Sequence, residues 1–140
     1  MQDYRDKQPT APPSLLALIE ENRGSYAPNV VWYAPRRGIT RIGREKVVEN
    51  LLREAAAMQE LQFTRLRCTC SDVQAIDEFV VRFRYSGTGI ENVALPAGAA
   101  VELERLRILT LANKQITLET AIEKWTVLEP PDQAATNGPG

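Results

Sequence analysis

The sequence predicts an α+β fold, a meandering antiparallel sheet carrying helices on one face. Three observations lead there: helix-period apolar spacing confined to the N-terminal part of the chain, period-two alternation from about Leu61 onward, and turn residues separating the alternating runs. A length of 140 residues suits one domain.

Taken in order, residues 1–12 are polar and end at Pro12 and Pro13, a pair that precedes a helix more readily than it sits inside one. They read as a flexible arm in front of a domain spanning 13–128. Ser14 is positioned as a cap, Leu15, Leu16, Leu18 and Ile19 form an apolar stripe, and Gly24 closes the helix. The apolar run Val30-Val31-Trp32-Tyr33 follows, stopped by Pro35 and an Arg36-Arg37-Gly38 turn. From Gly43 to Met58, Val47, Val48, Leu51, Leu52 and Ala55 recur at helical spacing, with Glu49, Arg53 and Glu54 expected elsewhere around the helix. Four alternating runs then read as strands: Leu61–Cys70, Ala75–Tyr85, Val101–Leu111 and Ile116–Leu128. Ser86-Gly87-Thr88-Gly89 is a turn, lacking the third glycine, the helix and the lysine of a phosphate loop. Residues 129–140 hold proline, glycine and polar residues and read as a disordered tail.

Composition excludes several functions. Seventeen basic and 18 acidic residues give a net charge of -1, so no nucleic-acid or anionic-membrane partner is expected. Histidine is absent, which removes Ser-His-Asp and Cys-His nucleophile systems and His-ligated metal sites. No metal and no other cofactor is expected. Cys68 and Cys70 are spaced so that both side chains fall on one side of a strand, where a disulfide between them would be strained, and they read as reduced, packed thiols of a cytoplasmic protein. The N-terminus lacks the apolar core of a secretory signal.

Alternation divides each strand into two faces. Phe79, Val81, Phe83 and Tyr85 share one, opposite Arg82 and Arg84; Leu66, Cys68 and Cys70 oppose Arg65 and Arg67; Leu106 and Ile108 oppose Arg105 and Arg107. The three arginine pairs therefore predict one polar face, and six arginines together call for acids from elsewhere, which a second subunit would supply in a homodimer.

Several phrases in this order resemble the nuclear transport factor 2-like superfamily, and within it the SnoaL-like polyketide cyclase branch. They are Val31-Trp32-Tyr33-Ala34-Pro35, Gly43 opening the second helix, Phe83-Arg84-Tyr85-Ser86-Gly87-Thr88-Gly89, Leu95-Pro96-Ala97-Gly98, Val101-Glu102-Leu103-Glu104 and Asn113-Lys114-Gln115-Ile116. The resemblance covers roughly residues 13 to 128. It implies a cystatin-like cone, a strongly curved antiparallel sheet wrapped around the N-terminal helices with an apolar central pocket, and the pairing as dimers usual in that superfamily.

The superfamily's catalytic groups are mostly missing. Where ketosteroid isomerases carry an acid-Pro step, this chain reads Trp32-Tyr33-Ala34-Pro35. Where epoxide hydrolases of this fold carry Arg-x-Asp, Phe79 and Val81 stand, and Ala121 replaces a last-strand acid. The isomerase acid of the third strand aligns with Glu104, which shares the face of Leu106 and Ile108 and is expected to point inward with a raised pKa. Two readings of Glu104 stay open: a general acid, or a carboxylate satisfied by a nearby Tyr, Trp or Arg. Glu102, Glu119 and Glu123 are expected on a solvated face. Trp32, Tyr33, Phe79, Val81, Phe83, Leu106, Ile108 and Trp125 are the expected pocket lining, with core packing as the alternative for the large aromatics. Two functions remain: a domain binding a small apolar molecule in its cone, with or without acid-assisted isomerase, cyclase or lyase chemistry, or a non-catalytic dimeric structural or partner-binding module with a filled cone.

Overall fold

In the computed structural model, which describes residues 15–131, a six-stranded sheet is ordered β2-β1-β6-β5-β4-β3. The chain runs α1 (Leu15–Glu21), β1 (Tyr26–Ala34), β2 (Ile39–Ile42), α2 (Arg44–Ala56), β3 (Met58–Cys70), β4 (Gln74–Tyr85), β5 (Ala100–Ala112) and β6 (Gln115–Glu129). The arm, the Ser14 cap and most of the tail lie outside the described residues; of the tail, Glu129 is the last residue of β6.

Strands β3 to β6 form the expected antiparallel meander, but β1 lies beside β6 in parallel. The sheet is therefore mixed. Strand β2 carries no sequence signal of its own, being four residues folded back on β1 by the turn at Pro35–Arg37, which Gly38 ends with φ 66°. No helix among the described residues is long and apolar enough to cross a membrane.

Two apolar cores fill the concave side. Helix α2 lays Val47 and Val48, with Leu51 and Leu52 partly buried, over Val30, Trp32, Ala34 and Ile39, with Leu109, Ile116 and Ala121 beneath. The second core packs Phe79, Val81, Phe83, Tyr85, Val101 and Leu103 with Ile90, Val93 and Leu95 of the 86–99 loop. Gly89 lets that loop approach the last turn of α2: its φ is +110°, and a Cβ there would lie 2.9 Å from the Arg53 carbonyl oxygen. Helix α1 buries none of its residues, and Leu16 and Leu18 remain exposed.

Candidate functional site

Between the two apolar cores lies a band of buried charge. Arg37 enters it from the turn after β1, Glu54 from the last turn of α2, Arg105 from β5 and Glu123 from β6. Arg37 donates from Nε to Glu123 Oε1 at 2.8 Å and from Nη1 to Glu54 Oε2 at 2.8 Å. Arg105, opposite Glu123 in the ladder, donates from Nε to Glu123 Oε2 at 2.9 Å and from Nη2 to Glu54 Oε1 at 3.2 Å. The Arg37 guanidinium also lies 5.7 Å from the Trp32 ring centre and 5.2 Å from that of Trp125, adding a cation–π attraction on each side.

A second cluster continues the band. Glu119 accepts from Tyr26 Oη at 2.8 Å, from Trp32 Nε1 at 3.3 Å, and from Arg107 Nε and Nη2 at 2.8 and 3.2 Å. Arg107 Nη1 donates to Asp77 Oδ2 at 3.0 Å, and Arg65 closes the row by donating to Asp77 Oδ1 at 3.0 Å. Four arginines thus meet four acids, so the band is neutral. Its mouth is on the β3 side, where the Arg65 side chain is 53% exposed and that of Arg107 23%.

The electrostatics favour fixed charges. Burial opposes ionisation of Glu119, but the charge of Arg107 and hydrogen bonds from Arg107 and Tyr26 hold its carboxyl below the usual range. Glu123 is likewise held low against burial by Arg105 and Arg37. Burial and the neighbouring Glu119 charge push the Tyr26 phenol up. Near neutral pH neither glutamate carries a proton to give, and the roughly four lone-pair sites of Glu119 are taken by four donors. One buried polar side chain breaks the pattern. Asn50, one turn before Glu54 on α2 and 1% exposed, has no hydrogen-bond partner for Nδ2 or Oδ1.

The expected lining is divided between the two sides of the sheet. Trp32, Phe79, Val81 and Phe83 are buried on the concave side, and Trp125 packs against them partly buried. Tyr33 points the other way and is exposed. Leu106 and Ile108 share a face with Glu104, as expected, but it is the convex one: the concave positions of β5 are Val101, Leu103, Arg105 and Leu109. Glu104 therefore does not point inward. Its side chain is 44% exposed, with Lys124 Nζ 3.9 Å away. Exchange of this partly solvated carboxylate, Glu104→Gln, is expected to change stability by no more than about 0.5 kcal/mol. Urea unfolding checks this; a loss above about 1.5 kcal/mol would restore an interior role.

The arginine ladder also divides. Arg65, Arg105 and Arg107 are concave, whereas Arg82 pairs with Glu102 at 2.9 Å and Arg67 with Glu78 at 3.3 Å on the convex face, which Arg84 shares by alternation. A bulge in β3 between Arg65 and Arg67 puts those two on opposite faces. Glu119 and Glu123, expected in solvent, are among the most buried acids of the domain. Cys68 and Cys70 are exposed rather than packed.

Depressions open on the surface of the described residues. One of about 460 Å³ lies between Arg53, Ala56 and Ala57 of α2 and the loop residues Ser86, Thr88, Gly89 and Glu91. Another, about 140 Å³, is a groove whose lining includes Leu66, Glu78, Glu104, Leu106, Ile122 and Lys124 of the convex face.

Comparison with known proteins agrees with this architecture. The SnoaL-like domain model matches residues 19–119, and the chain belongs to that family. The fold is that of the nuclear transport factor 2-like α+β cone. A Jannaschia protein assigned as a SnoaL-like polyketide cyclase superposes with a TM-score of 0.62 at 14% identity, over 76% of this chain and 72% of that one. A Cytophaga hutchinsonii protein of unknown function, described as nuclear transport factor 2-like, gives 0.57 at 13% identity, over 79% and 88%. An epoxide hydrolase of the limonene-epoxide hydrolase-like type from Mycobacterium tuberculosis gives 0.57 at 9% identity, over 79% and 74%. No curated protein matches the sequence.

Proposed function

We propose that this SnoaL-like domain is a non-catalytic, dimeric module that uses its concave side as core and its convex face to meet a second copy of itself. The observation that carries this reading is the closed interior. Phe79, Val81, Phe83 and Leu103 are buried under the 86–99 loop, and the acids between the two cores are locked in ion pairs. The hydrolase and cyclase names of the similar structures belong to those proteins. Acid or base chemistry here would need a carboxyl free to exchange a proton with a ligand, and Glu119 and Glu123 are tied to their partners.

The convex face has the composition of an interface. Half-buried Ile76, Val80, Leu106, Ile108 and Ile122 lie at its centre with Leu66 exposed beside them. The surrounding charges are paired within the chain: Arg67 with Glu78, Arg82 with Glu102, Arg84 with Glu129, and Lys124 with Glu104. An apolar centre inside a balanced polar rim is self-complementary about a two-fold axis. Sedimentation at micromolar concentration is expected to return twice the 15.6 kDa chain mass, and Leu106→Asp to return a folded monomer. A wild-type monomer, or a variant that stays dimeric, would overturn the proposal.

One observation favours binding of a small molecule instead: the unpartnered Asn50 amide, which a ligand's polar atom or a buried water would satisfy. It points to a hydrogen-bonding ligand rather than a purely apolar one. Native mass spectrometry of protein taken directly from cells separates the two readings, since the closed module gives bare chains and the second reading a retained mass.

A further inference from the structure

We propose that Cys68 and Cys70 form a two-coordinate site for a soft, thiophilic monovalent cation of the copper(I) class. Both thiols are free and exposed on β3, one of the two edge strands of the sheet. Their partners on β4, Asp77 and Ala75, are two residues apart and both buried on the concave side, so the register turns both cysteines the same way.

The spacing selects what they can do together. Residues i and i+2 of a strand have Cα atoms about 6.6–6.8 Å apart, at the far limit of what a disulfide spans and beyond its preferred 5.5–6 Å or so. Direct closure is disfavoured. An ion held between two sulfurs relieves that constraint, because the sulfurs then need not approach bonding distance. Thiolates also select copper(I) over harder cations.

The surroundings limit the site to two ligands. Asp77, facing Cys68 across the ladder, is occupied by Arg65 and Arg107. Among the described residues, no group of three or more cysteine, aspartate or glutamate side chains is arranged to hold a metal. A site with two sulfur donors suits a cation content with two ligands and leaves zinc, which takes four, unsatisfied. On binding, each thiol releases one proton and forms one sulfur–metal bond, giving a bis-thiolate complex of charge -1 without any redox step. Arg65, on the same face across the bulge and half exposed, supplies a nearby positive charge.

The test is anaerobic titration with copper(I) against a chromogenic copper(I) chelator, on the wild type, Cys68→Ser, Cys70→Ser and a wild type whose thiols are blocked by a methylthio group. One ion per chain is expected, with both thiols protected from a thiol reagent, and affinity at least about 100-fold weaker in each single variant. Exposed positions should leave the melting temperatures of the variants unchanged. The blocked wild type, with its sequence intact, should bind nothing and so excludes other donors. Equal affinity in the single variants, two ions per chain, one ion shared between two chains, or no capture from the chelator would each overturn the site.

Discussion

Replacing Glu119 by leucine is expected to cost about 3–5 kcal/mol of stability, the range for removing one partner of a buried ion pair. The side chain fits by volume, but Tyr26 Oη and Trp32 Nε1 lose their acceptor, and Arg107 keeps Asp77 and only a long contact, 3.5 Å, to Tyr26 Oη. A domain of this size has about 5–15 kcal/mol in all, so the change removes a large part of it. Adding Arg107→Met should recover part of the loss, because an apolar pair of similar volume replaces a buried ion pair with little penalty. Urea unfolding of both variants measures this. A loss below about 1 kcal/mol would mean that water reaches Glu119.

Acid is expected to unfold the domain steeply, with little response to added salt. Glu119 and Glu123 have folded-state pKa values below their unfolded ones. Their contribution is fully present above the ordinary carboxylate range, near pH 4.3, and is lost as pH falls through the depressed folded values. Two such groups give a limiting slope of about 2.7 kcal/mol per pH unit. Stability should therefore be level from pH 8 to about pH 5 and fall below that. Buried pairs are screened little, so raising the ionic strength should not mimic acid. A stability flat from pH 6 to pH 3 would contradict the network.

The sequence disclosed the fold more fully than the site, for a physical reason. Period-two alternation found β3 to β6 within a few residues at each end, and helical spacing found α2. Alternation says which residues share a face; it does not say which face is inside. That choice is normally made by polarity, and here the interior is itself polar. Arg105 and Arg107 on β5 are inward, Leu106 and Ile108 outward, so the apolar positions pointed the wrong way. Bulges added a second error: the register slips between Arg65 and Arg67 and again between Thr110 and Leu111 opposite β6, each slip turning side chains over. One signal was available. Val47, Leu51 and Glu54 are spaced i, i+4, i+7, so Glu54 lies on the apolar stripe of α2, and Asn50 precedes it by four. A carboxylate on a buried helical stripe demands a buried cation.

The parallel pairing of β1 with β6 has a consequence for synthesis of the chain. Trp32 and Glu119 are 87 residues apart in sequence, and Tyr26 and Glu119 are 93. While the chain emerges N-terminus first, β1, β2 and α2 wait with one sheet edge uncovered and with the indole and phenol donors unmatched until the final strand arrives. The chain must leave the ribosome through β6 before this ion-paired interior can close. Contacts of such long range are slow to form, and a nascent chain stalled within β5 leaves open the edge of β1 that β6 would have paired with.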